Sequence, residues 1–576
     1  MEMQTSGKVL SLCVAAGMLL APSYASGEQD GKTTTGKSYE NEPAPAAVMA
    51  DRDGNKVFDN LEKRMEKSAM SDKIPVIIQV DTTRMNGKAS KAIEKRVGKY
   101  SLKHEYTHAL KGIAATMTRA QIQKLQNVPF IKQIEEDVEM KAFNGTANYW
   151  TGTEKARTDF GLDGDRDGNP LSYSKDDIVV AVIDTGIDAG HRDLDNGKVI
   201  GWKDYVNGRT TPYDDQGHGT HVAGIAAGEG EANSTNKGVA PGAALVGIKV
   251  LDANGSGSMS DITAGVDWAV ANKSTYGIEV LNLSLGSSGS SDGTDSTSAA
   301  VNAAVDAGLV VAVAAGNSGP RTYTVGAPGA AEKALTVGAM ADPGENGFFL
   351  ADFSSRGYTA DGRIKPDIAA PGYNITAPQA NTSASYVTYS GTSMATPFTA
   401  GTVALMLDAN PSLTPSQVFS KLTATSVDWG PSGKDIDYGF GRLDGYESIK
   451  SAGGFTGTNI SAPAHHKRSG SLGGSRAYDQ FDLEVTNTAH PLAVTMIMPD
   501  WRSSWFSSTP DYDLYVYDPS GNIVARAEGT KRQETVSFKP SAAGTYTIEV
   551  YSYSGSGKYF FDVSAGAASL TQTVNQ

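Results

Sequence analysis

Three rhythms of apolar and polar residues follow one another along the chain. Between residues 148 and 452 the apolar positions come in unbroken runs, at 178–183, 244–250, 279–285 and 309–315, separated by stretches of helical spacing. A run that is apolar on both faces is buried on both, so these predict strands of a mostly parallel sheet with helices on either side. Residues 400–407 predict one such helix. Later the rhythm shortens to alternation. Residues 511–517, a turn at Asp518-Pro519-Ser520-Gly521 and residues 544–550 predict an all-β sandwich over 475–566. Ahead of the long region, 74–142 predicts a small α+β unit. Its strands are expected at 74–80, 112–117 and 130–138 and its helices at 91–100 and 118–125, the second capped by Thr118. The fold class expected is therefore α/β, between a small α+β unit and a sandwich.

The connecting segments carry their own signals. Gly, Ser, Ala and Pro dominate residues 453–474, which predicts a linker, and 26–73 is a polar leader. Residues 1–25 combine Lys8, an apolar run and the small-x-small triplet Ser23-Tyr24-Ala25, the pattern of a signal peptide and hence of a secreted, extracellular protein. No later segment approaches about 18 consecutive apolar residues, so no membrane span is expected.

Composition narrows the function. A length of 576 residues exceeds one core, and 39% hydrophobic with 20% charged residues fits a soluble globular chain. A net charge of −14 argues against nucleic acid or an anionic membrane as the main partner. The sole cysteine, Cys13, lies in the expected signal peptide. The mature chain would then hold no disulfide, no thiolate metal site and no cysteine nucleophile. Bound calcium is a common substitute for disulfides in such proteins.

The candidate chemistry centres on Gly391-Thr392-Ser393-Met394-Ala395-Thr396-Pro397-Phe398-Thr399, which sets a serine among small residues before a helix. Asp184 ends an apolar strand and His218 opens a glycine-alanine helix. Asp, His, Ser is one of the chain orders in which the acyl-transfer triad occurs. A serine hydroxyl needs a base to take its proton, histidine titrates near neutrality, and a carboxylate holds the imidazole's tautomer. Asn317, in Ala315-Gly316-Asn317 at a strand end, offers an amide donor for the oxyanion, and the Ser393 N–H offers a second. Taken alone, a serine before a helix is more often an N-cap. His221 and His191 are expected to pack internally.

Acidic spacing suggests metal. Asp163, Asp165 and Asp167 stand at positions 1, 3 and 5 of a loop with Gly168 at 6, as calcium loops require, although position 12 is Ser174 rather than glutamate. Asp214 and Asp215 are another candidate pair, whereas Asp51-Arg52-Asp53-Gly54 reads as a turn.

Over residues 148–452 these motifs resemble the subtilisin-like serine peptidases. Val182-Ile183-Asp184-Thr185-Gly186 is similar to that family's aspartate box, His218-Gly219-Thr220-His221 to its histidine box, and Gly391-Thr392-Ser393-Met394-Ala395 to its serine box. Phe398 departs from the family, where histidine is frequent. The resemblance implies an endopeptidase of broad specificity acting on protein or peptide substrates, monomeric and without organic cofactor. It implies substrate edges at Gly255-Ser256-Gly257 and Ser284-Leu285-Gly286 and a pocket walled by Ala314, Ala315 and Gly316. It also implies a calcium ligand at Asp193, with partners from the loop 229–236. The segment 74–142 resembles an inhibitory propeptide, cleaved autocatalytically within 142–149, and the sandwich resembles a bacterial pre-peptidase C-terminal domain. Alternatives are a silent fold that binds through the sandwich, or a narrow processing peptidase.

Overall fold

A computed structural model describes residues 14–15, 55–57, 59–106, 111–136, 144–169, 172–502 and 509–576. Most of the expected signal peptide, residues 26–54 of the expected leader with the turn at 51–54, the start of the expected cleavage stretch and Trp505 lie outside the described residues. The rest of that leader is not a plain linker, since Asp59–Glu66 is helical and its Leu61 and Met65 join the core of the N-terminal unit. The chain divides into two units, Ser23–Lys141 on one side and Ala142–Gln576 with Met1–Pro22 on the other.

The first unit is an antiparallel sheet of β1 (Lys73–Val80), β2 (Ser101–Tyr106), β3 (Gly112–Thr118) and β4 (Ile131–Glu136), in the order β2-β3-β1-β4. Alternate residues of β1, namely Ile74, Val76, Ile78 and Val80, are buried. Helices α1 (Ala89–Val97) and α2 (Arg119–Gln126) complete the core through Ile93, Ile122 and Leu125. Thr118 caps α2 as expected: its Oγ1 accepts from the Gln121 N–H at 3.3 Å, and the Gln121 side chain accepts from the Thr118 N–H at 2.9 Å. The edge strand β2 escaped the sequence reading because its first residues are exposed, so no apolar alternation marks it.

In the second unit seven strands form a wholly parallel sheet. They are β5 (Val179–Asp184), β6 (Val199–Asp204), β7 (Ala244–Lys249), β8 (Ile278–Leu283), β9 (Val310–Ala314), β10 (Leu335–Met340) and β11 (Ile368–Pro371), ordered β11-β10-β9-β8-β5-β7-β6. The expected runs became β5, β7, β8 and β9. Strands β6 and β11 are edges, and β10 is interrupted by Gly338, so none carries a long apolar run. Separate cores cover the two faces, one containing Val180, Val182 and Val403, the other Ala181, Ile183 and Val266.

Two helices matter for the site, α3 (His218–Ala227) and α4 (Thr392–Ala409). Helix α4 starts at Thr392, well before the expected 400–407, and is buried on every side from Thr392 to Leu407. With no polar face it has no helical periodicity to read.

The sandwich holds β12 (Ala464–Leu472), β13 (Tyr478–Val485), β14 (Leu492–Ile497), β15 (Asp511–Tyr517), β16 (Ile523–Ala527), β17 (Gln533–Phe538), β18 (Gly544–Ser554), β19 (Gly557–Ala565) and β20 (Ala567–Val574). Its sheets are ordered β12-β19-β14-β17 and β16-β15-β18-β13-β20. The expected linker 453–474 therefore contains a strand: β12 pairs with β19 along its whole length, from Ala464 opposite Ala565 to Leu472 opposite Gly557. Its sequence, Ala-His-His-Lys-Arg-Ser-Gly-Ser-Leu, is polar because most of it stays partly exposed. Strand β20 carries the sandwich past the expected end at 566. Tyr512 is core, and the hydroxyl of Tyr515 donates to Glu528 at 2.7 Å.

Candidate active site

In a parallel sheet, side chains converge where the strands end, because every carboxyl terminus lies on the same edge. Asp184 is the last residue of β5 and is fully buried. Its Oδ1 accepts from the Thr185 N–H at 2.7 Å and meets His218 Nδ1 at 2.7 Å. His218 is the first residue of α3, with its own N–H donated to the Gln216 side chain at 2.8 Å. Burial alone would keep the imidazole neutral, yet the Asp184 carboxylate outweighs it and raises the histidine's pKa above its ordinary value.

What holds α3 in place is Asp214. Its Oδ1 accepts from the Gly217 N–H at 2.8 Å, the Gln216 N–H at 3.0 Å and the Thr185 hydroxyl at 3.0 Å. Its Oδ2 accepts from the Thr220 N–H at 2.9 Å and hydroxyl at 2.7 Å. Thr185 in turn accepts from the Gly219 N–H at 2.8 Å. A Cβ on Gly219 would run into the Gly186 carbonyl and come within 3.1 Å of the Asp184 Cβ, so a glycine must follow the histidine.

Ser393 lies in the first turn of α4 and is buried. Its hydroxyl donates to the Ser284 carbonyl at 3.0 Å, and the Ser284 hydroxyl donates back to the Ser393 carbonyl at 2.8 Å. The second bond answers a defect in the helix. Pro397 stands four residues on and has no N–H for that carbonyl. Strands β5 and β8 are neighbours with Val182 opposite Asn282, so Asp184 and Ser284 end adjacent strands at one level. The serine is thus fixed one strand away from the Asp184–His218 pair. Among the described hydrogen bonds none joins its hydroxyl to the imidazole. Such bonds are often long until substrate closes the site.

Asn317 lies just past β9. Its Oδ1 accepts from the Thr392 N–H at 2.9 Å and the Thr392 hydroxyl at 3.0 Å, and that hydroxyl accepts from the Gly316 N–H at 3.1 Å. With the oxygen end held, the amide nitrogen faces Gly391, where a Cβ would come within 3.4 Å of it. Thr392 is a site residue the sequence reading passed over, since a threonine beside the serine reads as a small-residue filler.

The expected substrate edges sit as follows. Ser256 and Gly257 are half-exposed, and an extended pair, Val14–Ala15, runs antiparallel to them. Gly255 is buried. Ser284 is bonded to Ser393, as above; Leu285 packs into the core; Gly286 is half-exposed. Ala314 and Ala315 are buried, while Gly316 is half-buried beside Asn317. His221 packs as expected: its Nε2 lies 3.1 Å from the Ile375 carbonyl and 3.0 Å from that of Val387. Burial pulls its pKa down to about 3. The His191 Nε2 meets the Ser385 carbonyl at 3.0 Å.

The acidic candidates separate. Asp165 and Asp167 come together with Asp177, not with Asp163, their carboxylate oxygens lying within 4.8 Å of one another. The Asp163 Oδ1 instead accepts from the Asp165 N–H at 3.0 Å, and the loop turns back so that Asp177 closes the group. Asp177 is buried, and burial with the charges of Asp167 and Asp165 raises its pKa. Asp214 is spent on α3, and Asp215 pairs with Lys249 at 2.7 Å. Asp193 accepts from the Ala232 N–H at 3.1 Å and the Tyr386 hydroxyl at 2.8 Å. Among the described residues no group of three acids forms around these last positions.

Known families and proteins match parts of this chain. The subtilase family matches residues 175–441, the bacterial pre-peptidase C-terminal domain 477–552 and the peptidase inhibitor I9 family 61–143. Serine protease AprX of Bacillus subtilis is 42% identical over 294 residues, covering 47% of this chain and 66% of that protein. Subtilisin E of Bacillus subtilis is 33% identical over 392 residues, covering 67% of this chain and 93% of that protein. The solved structure of Sphericase is 35% identical, covering 49% of this chain and 96% of that one, with a TM-score of 0.40.

Proposed function

The chain belongs to the subtilase family of serine peptidases, and from that premise we propose that it is a secreted endopeptidase, made as a self-inhibited precursor, whose triad is Asp184, His218 and Ser393. The reading is carried by the buried 2.7 Å contact between His218 and Asp184, one strand from the bracketed Ser393. As Ser393 Oγ attacks the peptide carbonyl carbon, His218 Nε2 takes its proton, and Asp184 stabilises the imidazolium through Nδ1–H. The carbonyl oxygen becomes an oxyanion, held by the Asn317 amide and the Ser393 N–H. Collapse breaks the C–N bond, and the proton on His218 goes to the leaving amine. Water, deprotonated by the same imidazole, then attacks the acyl-enzyme and releases Ser393.

Substrate would bind as an added strand along Gly255-Ser256-Gly257 and Ser284-Leu285-Gly286, its first side chain against Ala314, Ala315 and Gly316. The I9 match supports an intramolecular inhibitor that is later removed.

Calcium fits Asp165, Asp167 and Asp177, whose hard oxygen donors suit a cation that takes six to eight oxygens. The ion would supply charge balance and stability. Chelation should lower the melting temperature, and Asp177→Asn should abolish that sensitivity. At a hundredfold excess over Kd the stabilisation is about 2.7 kcal/mol. Identical melting with and without chelator would remove calcium from this loop.

The deciding experiment compares intact masses of the precursor and its Ser393→Ala form over time. Loss of the N-terminal unit from the parent alone supports the assignment. Equal processing of both forms would overturn it.

A further inference from the structure

We propose that the C-terminal sandwich is part of the catalytic apparatus, and that Arg532 and Gln533, which lead into and open β17, are positioning residues for the oxyanion donor Asn317. The inference rests on the peptidase reading above.

Asn317 is followed by Ser318-Gly319-Pro320, and this segment is held by residues 350–356. The Ser355 N–H donates to the Gly316 carbonyl at 2.9 Å, the Ser318 N–H donates to Ser355 Oγ at 3.1 Å, and the Gly319 N–H donates to the Phe353 carbonyl at 2.8 Å. The sandwich grips both pieces. Arg532, almost fully buried, donates through Nη1 to the Pro320 carbonyl at 3.3 Å and to Asp437 Oδ1 at 2.5 Å, and through Nη2 to Asp437 Oδ2 at 3.0 Å. The Gln533 amide donates to the Leu350 carbonyl at 2.8 Å and accepts from Arg356 Nη2 at 2.7 Å. Arg356 Nη2 also reaches the Ala351 carbonyl at 2.9 Å. Burial opposes the charge on Asp437, but Arg532 and Arg356 overcome it and keep the carboxyl below its usual range. The Pro320 end of the segment bearing Asn317, and the 350–356 stretch that holds the segment, are therefore both tied to groups that the sandwich supplies. A donor that must meet an oxyanion within about 3 Å tolerates little drift.

The test is a double-mutant cycle on the whole chain, with kcat and KM measured on a peptide substrate after active-site titration with a fluorophosphonate. Arg532→Lys retains the charge on Asp437 but not the fork that also reaches Pro320. It should lower kcat about tenfold with KM within about twofold, because the lost interaction is made only in the transition state. In an Asn317→Ala background, itself down about 10²–10³ as measured for such a donor in a subtilisin, Arg532→Lys should cost nothing further. Gln533→Met makes the same test from the other side. Unchanged kcat in both variants, or losses that multiply with Asn317→Ala, would overturn the proposal. Failure of both to fold would assign these contacts to stability alone and overturn it equally. A parent that neither titrates nor turns over would instead refute the peptidase reading.

Discussion

At the scale of single residues, His218 carries the clearest consequence. In the proposed triad it must be neutral to accept the Ser393 proton, and Asp184 holds its pKa above the ordinary 6.5 against the opposing effect of burial. The rate should therefore rise with pH through a midpoint above 6.5, measured as kcat/KM. A limb centred well below that value would contradict the pairing. The residues of this site were legible one by one, because aspartate, histidine, serine and asparagine each sat in a distinctive run of small or apolar neighbours. Thr392 and Asp214 were not legible in their true roles. A threonine and an aspartate gain meaning here only from the groups they bond, Asn317 in one case and the start of α3 in the other.

Elements bring these residues to one edge, and two contacts between elements can be tested. Gly219→Ala puts a methyl against the Gly186 carbonyl, so α3 must shift and take His218 with it. A displacement of about 1 Å costs on the order of 10²-fold in kcat; unimpaired turnover would mean that the helix yields without moving the imidazole. Ser284→Ala removes the hydroxyl that serves the Ser393 carbonyl above Pro397. Leaving that carbonyl buried and unpaired should cost about 1–3 kcal/mol, read from denaturant midpoints, with kcat falling as well. Helix α4 and strands β2, β6, β10, β11 and β12 are also where the sequence pattern was weakest. Full burial erases helical periodicity in α4, and edge exposure erases strand alternation in β2, β6 and β12, whereas β10 and β11 are buried but carry no long apolar run.

For the whole molecule, the decisive observation is a core shared by the sheet region and the sandwich. Phe348, Leu350, Trp429 and Tyr438 pack with Ile497 and Phe560, and the rings of Trp429 and His465 stack at 4.2 Å. Cutting the chain after Gly453 would expose that surface and leave Asp437 without Arg532. The truncated protein should be recovered, if at all, with a lower melting temperature and a tendency to aggregate. Full stability and activity after the cut would show that the shared core is dispensable.

The sequence by itself determined the layered α/β class, the sandwich and the capped α2, and it singled out Asp184, His218, Asn317 and Ser393 as the candidate site. Those features follow from local patterns: runs buried on both faces, alternation, a capping box, and reactive side chains at element ends. Tertiary structure decided the rest. It chose Asp177 over Asp163 beside Asp165 and Asp167, made Ser284 a bracket for Ser393, drew a strand out of the expected linker, and fastened the sandwich to the segment bearing Asn317. The bracket and the sandwich contacts join residues more than a hundred positions apart, and the acidic group forms only because the loop folds back on itself, so no local pattern encodes them.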